Sequence, residues 1–197
     1  EEGNDTIDGN DGNDTITGGA GADSMTGGAG DDRFVYTAFN QGGNIVNGSS
    51  GGPTLTIGDT ITDFTTGSDQ IDISAVATGT VAAATGAGTG QTFDSGANEG
   101  LGVVSVNFPF TAGTTGIGVV ATLGVAYDGG ITIGAGDTAV FAIREDVGGD
   151  DRYNIYAVEN TTGAALSDVA LRDAGVSVTL LGSTEPGDLL VAGDFIL

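Results

Sequence analysis

A nine-residue repeat at the start of the chain constrains its fold more than any other feature. Residues 3–35 contain four copies of one unit, Gly-Gly-x-Gly-x-Asp-x-U-x, in which U is a large apolar residue. Three residue types recur nine positions apart in the same phase: the aspartates Asp5, Asp14, Asp23 and Asp32, the glycines Gly3, Gly12, Gly21 and Gly30, and the apolar residues Ile7, Ile16, Met25 and Phe34. Self-similarity at a fixed period is typical of stacked repeat architectures.

Each unit predicts one short strand and one tight turn. The apolar residue and its two neighbours suit a strand in which the middle side chain points away from the other two. The other six residues are rich in Gly, Asn and Asp, and glycine adopts the positive φ that a tight turn requires. We expect two units to make one coil, so residues eighteen apart stack at roughly 4.8 Å. This stacking places Asp5 next to Asp23 and Asp14 next to Asp32.

Stacked aspartates predict a bound cation. Neighbouring carboxylates repel each other, but carboxylate and turn carbonyl oxygens together form the shell of roughly six to eight oxygen ligands that Ca²⁺ prefers. Without the metal, the segment has the composition of a polar linker that buries too little apolar surface to fold. We therefore expect calcium binding and folding of the repeats to be one event.

Three segments of the chain resemble the C-terminal region of RTX-type (hemolysin-type calcium-binding repeat) exoproteins. The nonapeptides at 3–35 carry the resemblance. The pattern D-x-I-x-D-F-x-x-G-x-D-x-I-D-φ-S at 59–74 is similar to the segment after the repeats in serralysin-type proteases, and the end Asp194-Phe195-Ile196-Leu197 is similar to a type I secretion signal. The predicted calcium-site residues are Gly3, Asp5, Asp11, Gly12, Asp14, Gly19, Gly21, Asp23, Gly28, Gly30, Asp32, Asp63 and Asp69.

The stretch 58–74 predicts two short strands joined by the turn 65–68, which we interpret as a hairpin that caps the roll. The resemblance implies that such a segment supplies further calcium ligands. For Asp63 and Asp69, a calcium ligand and the polar face of a plain hairpin remain equally good interpretations. For Asp72 we favour the hairpin.

The predicted fold class is all-β: a short parallel β-roll followed by a β-rich, sandwich-like cap with at most one short helix. Apolar runs separated by turn residues predict the strands of the cap as a small antiparallel sheet or sandwich: LGVVSVNF, IGVVATLGVAY, TAVFAIRE, RYNIYAV and VSVTLL. The helix is expected between Ser167 and Gly175. We predict two domains, 1–74 with the roll and its capping hairpin and 75–197 with the cap and the secretion signal.

Composition excludes several function classes. Acidic residues outnumber basic ones 27 to 4, which gives a net charge of −23 and argues against nucleic acid or an anionic membrane as a partner. No apolar run is long enough for a transmembrane segment. The chain has no His and no Cys, so neither a Ser/His triad, a Cys nucleophile nor a His-based zinc site can form. We predict no enzymatic activity, and we interpret the acidic pairs at 145–146 and 150–151 as a solvated turn.

These features predict a secreted, calcium-binding module located outside the cell or at its surface. We favour the C-terminal end of a surface or matrix protein, S-layer or adhesin-like, with a type I secretion channel and neighbouring subunits or self-association as partners. The alternative is the non-catalytic tail of a secreted hydrolase, and a sugar- or ice-binding module is a weaker third interpretation. Glu1 and Glu2 stand at the second and third positions of a nonapeptide, so we expect the chain to be the C-terminal piece of a longer protein.

Overall fold

The computed structural model describes residues 2–39, 41, 46–47, 58–76, 82–84, 101–108, 135–136, 138–147, 150–163, 176–185, 190 and 192–196. The strands in this part of the chain are β1 (Thr6–Asp8), β2 (Thr15–Ile16), β3 (Ser24–Thr26), β4 (Arg33–Val35), β5 (Val46–Asn47), β6 (Asp59–Ile61), β7 (Gln70–Asp72), β8 (Ala82–Ala84), β9 (Leu101–Phe108), β10 (Thr138–Val147), β11 (Asp150–Asn160), β12 (Val176–Thr184) and β13 (Phe195–Ile196). One turn of 3₁₀ helix spans Ala192–Asp194.

The repeats alternate between two sheets of parallel strands. In the first sheet β1 pairs with β3, and Thr6 lies opposite Ser24. In the second sheet β2 pairs with β4, and Thr15 lies opposite Arg33. Both offsets are eighteen residues, which confirms the prediction of a parallel β-roll with two repeats in each coil.

The segment 58–74 forms a third coil and not the predicted hairpin. A hairpin requires β6 and β7 to pair with each other, whereas β6 pairs with β3 in the first sheet and β7 pairs with β4 in the second, both in parallel. The apolar side chains explain this arrangement, because Ile61 and Ile71 are both completely buried and continue the inward-facing positions of the repeats. The turn at 65–68 therefore crosses from one sheet to the other, as the turns of the repeats do.

The C-terminal strands extend the first sheet of the roll. Strand β12 pairs in parallel with β6 and antiparallel with β11, and β11 pairs antiparallel with β10. Strands β9 and β8 then add in parallel, which differs from the antiparallel order expected for this region. The all-β prediction is confirmed. The predicted strand at 117–127 and the predicted helix at 167–175 lie outside the described residues.

A continuous apolar core links the roll to the C-terminal strands. Strand β13 pairs in parallel with β7 and places Phe195 opposite Ile71, so four inward-facing residues are stacked along the second sheet: Ile16, Phe34, Ile71 and Phe195. The same buried cluster includes Val140, Tyr153, Ile155 and Leu181 of β10–β12. The core therefore contains residues from both predicted domains, 1–74 and 75–197.

Candidate metal centre

The turns between the strands of the roll share one backbone conformation. Six of their glycines have φ between 102° and 145°, and they are the glycines of the predicted site: Gly3, Gly12, Gly19, Gly21, Gly28 and Gly30. Asn10, at the position equivalent to Gly19, also has a positive φ of 70°. A Cβ atom on Gly21 or Gly30 would overlap the carbonyl oxygen of the glycine eighteen residues earlier. The turns of successive coils are therefore stacked backbone to backbone.

Hydrogen bonds arrange the buried aspartates in two columns. In the first column, Oδ1 of Asp23 accepts the N–H of Asp5 at 2.8 Å, and Oδ1 of Asp59 accepts the N–H of Asp23 at 3.0 Å. In the second column, Oδ1 of Asp32 accepts the N–H of Asp14 at 2.8 Å, and Oδ1 of Asp69 accepts the N–H of Asp32 at 2.9 Å. The structure thus brings together the pairs that the eighteen-residue period predicts.

The second oxygen of each repeat aspartate has no hydrogen-bond partner. This oxygen, Oδ2, is buried and unpaired in Asp5, Asp14, Asp23 and Asp32. In the last three it lies within 2.9 Å of the position that a Cβ atom of Gly9, Gly18 or Gly27 would take. That glycine is the first of the turn leading to the aspartate. A buried carboxylate oxygen without a partner carries a large desolvation cost unless a cation neutralises it. Carboxylate and carbonyl oxygens are the ligands that Ca²⁺ prefers, so these residues fit a calcium ion.

Most ligands of such an ion would have to be backbone carbonyls. Within the residues that the structure describes, no three Asp or Glu side chains converge on a common point as in a carboxylate cage. Asp11, which was also predicted as a site residue, exposes its side chain to solvent, while its backbone forms a bridge with Ala29. The structure therefore does not bring the carboxylate of Asp11 into the buried columns.

Two asparagines and one aspartate take part in the columns without having been predicted as site residues. Oδ1 of Asn4 accepts the N–H of Ala22 at 3.0 Å, and Oδ1 of Asn13 accepts the N–H of Asp31 at 3.1 Å. The tripeptide Gly-Asn-Asp in the first two repeats is the sequence signal for these bonds. The aspartate is Asp59, which accepts the N–H of Asp23, and its spacing to Ile61 repeats that of Asp23 to Met25.

The aspartates of the third coil differ from those of the repeats in their partners. Asp63 accepts two backbone hydrogen bonds, from Gly27 at 2.9 Å and from Gly28 at 2.8 Å, one on each oxygen. Asp69 accepts the N–H of Thr65 on Oδ2 at 2.8 Å, in addition to the bond on its Oδ1. Asp72 accepts two bonds from Ser74 and lies 3.9 Å from Arg33.

Asp59 and Asp69 are the last aspartates of the two columns, where burial and neighbouring negative charges disfavour the ionised carboxylate. Burial, followed by the charge of Asp23, raises the pKa of Asp59 to about 7. Burial also raises the pKa of Asp69. Burial and the nearby Asp59 raise the pKa of Tyr36 well above its usual value. The Tyr36 hydroxyl lies beside Asp59, although its geometry falls short of a full hydrogen bond. The same Tyr36 hydroxyl occupies the space that a side chain at Gly182 would need.

Comparison with known sequences identifies the repeats. The sequence model of the RTX calcium-binding nonapeptide repeat matches residues 1–34 in four copies. No curated protein matches the chain. RTX repeats of this kind bind Ca²⁺ and are typical of secreted proteins, so the chain begins with a calcium-binding repeat module.

Among solved structures, the chain is similar to the AlgE6R3 subunit from the Azotobacter vinelandii mannuronan C5-epimerase, determined in solution. The alignment covers 99% of this chain and 78% of that chain, with 20% identity and a TM-score of 0.44. This degree of similarity supports no conclusion about activity. The part of the chain that the structure describes contains no helix that could span a membrane.

Proposed function

We propose that this chain is the calcium-folded C-terminal module of a secreted bacterial surface or extracellular-matrix protein of the S-layer or adhesin type. The observation that carries the proposal is the unpaired, buried Oδ2 of the four repeat aspartates. Together with the carbonyls of the glycine turns, these oxygens would hold Ca²⁺, and the ion would supply the positive charge that the stacked columns lack. The module itself is proposed to be non-catalytic.

The same residues would couple calcium concentration to folding. Free calcium in the bacterial cytosol is too low to fill weak sites, and the polyanionic repeats would then stay unfolded and fit to pass through a type I secretion channel. Extracellular calcium modules bind with dissociation constants of about 10⁻⁴–10⁻³ M, so the sites would fill outside the cell. Because metal binding and folding are linked, the strands would then pair and bury their apolar side chains.

The proposal divides the chain into two functional parts. Residues 1–74 would form the calcium-dependent roll, and residues 75–197 would form a strand-rich part that ends in the secretion signal. The parallel pairing of β12 with β6 supports a cap built directly on the roll. The net charge of −23 supports association with neighbouring subunits through bridging divalent cations, because such a charge otherwise repels other copies.

Calcium binding is tested by isothermal titration of the whole chain with CaCl₂ and, separately, with MgCl₂. We expect several Ca²⁺ ions to bind per chain and Mg²⁺ not to replace them, because Mg²⁺ requires near-ideal octahedral geometry and gives up its water reluctantly. The proposed function would be wrong if calcium produced no binding heat and no calcium remained bound to the chain after gel filtration.

The secretion proposal is tested by deleting residues 195–197 and measuring export through a type I system in a heterologous bacterium. We expect export to fall strongly, because the unfolded terminus would be the part that the channel recognises. Phe64→Ala is the matched control, since Phe64 is also buried but lies far from the terminus in sequence. Equal export of the deletion and the wild type would contradict the secretion role.

A further inference from the structure

We infer that the calcium sites end with the fourth repeat, and that the turn of the third coil, residues 63–69, is closed by backbone amide groups in place of calcium. On this inference Asp63 and Asp69, two residues of the predicted calcium site, are not ligands. The inference rests on the proposed calcium binding by the repeats and specifies where that binding stops.

The first observation is that both oxygens of these two carboxylates already have donors. The four N–H groups bound to them belong to Gly27, Gly28, Asp32 and Thr65, at 2.8–2.9 Å. Each repeat aspartate, in contrast, has one buried oxygen with no partner. Hydrogen bonds from N–H groups to a carboxylate are charge-assisted and about twice as strong as neutral ones. Asp63 and Asp69 therefore have a hydrogen-bond donor on each oxygen without a metal.

The second observation is the direction of these donors. An N–H group presents its positive end to the carboxylate, which is also the side from which a cation would approach. A calcium ion at Asp63 would compete with the amides of Gly27 and Gly28, each of which holds one oxygen of this carboxylate. Gly27 is buried and Gly28 is exposed, so the Gly27 amide is the donor that would be left buried without an acceptor. A buried donor left without a partner is destabilising, so this competition disfavours calcium at Asp63.

The third observation is the backbone of the turn itself. Its carbonyl group at Thr65 accepts bonds from Ser68 at 3.1 Å and Asp69 at 2.9 Å, so this oxygen is used inside the turn. Gly67 is its one residue with a positive φ, at 81°, whereas a turn of the repeats has two such residues, as Gly28 and Gly30 do. The turn 63–69 therefore differs in conformation from the turns that we propose to bind calcium.

The consequence is a roll with two kinds of coil. The outer coils, built from the repeats, would need calcium, while the third coil would provide a metal-free surface on which they stack. The amide of Gly67 donates to Asp194 Oδ1 at 3.0 Å, and the ring of Phe64 packs against Phe34 with 6.2 Å between centroids. These contacts tie the turn to the C-terminus and to the core without any ion.

The test is to count the calcium ions bound per chain in the wild type and in Asp32→Asn, Asp63→Asn and Asp69→Asn, after gel filtration in excess calcium. We expect Asp32→Asn to lose at least one ion. We expect Asp63→Asn and Asp69→Asn to keep the wild-type number and to unfold at lower temperature, because each loses a charge-assisted bond. Loss of an ion from a folded Asp63→Asn or Asp69→Asn chain would overturn the inference.

A second measurement uses the wild type and does not depend on the variants folding. In the calcium-loaded protein, NMR should detect scalar coupling through the hydrogen bond between the Thr65 nitrogen and the Asp69 carboxyl carbon. Absence of this coupling, with the coupling between Asp14 and Asp32 present as the control, would also overturn the inference. A wild type that binds no calcium would instead disprove the proposed function.

Discussion

At the scale of single residues, Asp23 and Asp32 use their two carboxylate oxygens differently. In Asp23 and Asp32, Oδ1 accepts the backbone N–H of the aspartate one coil earlier, and this bond sets the register of the stack. Their Oδ2 atoms remain buried without a donor. A neutral residue of the same shape would keep the first bond and lose the negative charge at the second oxygen.

The first prediction concerns the change Asp14→Asn. We expect the calcium concentration at the folding midpoint to rise at least about tenfold, equivalent to ~1.4 kcal/mol, because a buried anionic oxygen is lost. Circular dichroism during calcium titration measures the midpoint. The control is Asp11→Asn, since the Asp11 side chain is exposed and its loss should move the midpoint little. A larger effect at Asp11 than at Asp14 would contradict the site geometry.

The second prediction concerns the stacked turns. Gly30→Ala should destabilise the calcium-loaded protein by at least about 2 kcal/mol, because φ is 145° there and a Cβ atom would overlap the Gly12 carbonyl oxygen. Gly163→Ala is the control, since no atom lies near its Cβ position. Thermal unfolding in excess calcium measures both variants, and equal melting temperatures would rule out the close stacking.

Much of the residue scale could be predicted from the sequence. The nine-residue period predicted the two columns of aspartates, because identical units in a regular coil must occupy equivalent positions. Asp59 was harder to assign, because it stacks on Asp23 after thirty-six residues and not after eighteen. The partners of Asp63 were not predictable either, since the amides of Gly27 and Gly28 approach it only through the tertiary stacking.

At the scale of elements, the roll is a stack of coils closed by a strand from the far end of the chain. Local sequence predicted two short strands in 58–74 joined by the turn 65–68, and the structure places these strands at 59–61 and 70–72. It did not predict their partners, because the alternation of Ile71 and Ile73 with Asp72 fits a hairpin as well as a coil. The long-range pairing of β13 with β7 likewise has no local signal.

The third prediction concerns this closing strand. Phe195→Ala should lower the free energy of unfolding by about 3–5 kcal/mol, the usual cost of removing a buried Phe side chain, because Phe195 is packed in the core. Phe195→Leu keeps most of the apolar volume and should cost less than about 1.5 kcal/mol. Denaturant unfolding in saturating calcium measures both. An equally small effect of both variants would mean that β13 does not close the roll.

At the scale of the whole molecule, an excess of negative charge is combined with a continuous apolar core. The charge of −23 opposes compaction, while the core links the roll with strands β10–β12. Each ion that binds only the folded state adds RT ln(1 + [Ca²⁺]/Kd) to its stability. Several weak sites therefore act together, and folding should respond steeply to calcium. Charge and composition predicted that folding depends on calcium. The continuous core could be seen only in the structure.

The most direct test of the central claim is a far-ultraviolet circular dichroism titration of the whole chain after treatment with EGTA. We predict a cooperative gain of β-strand signal as Ca²⁺ approaches the order of 10⁻³ M, its loss on renewed addition of EGTA, and no comparable gain with Mg²⁺. A spectrum with the same β-strand signal in EGTA and in calcium would contradict the account.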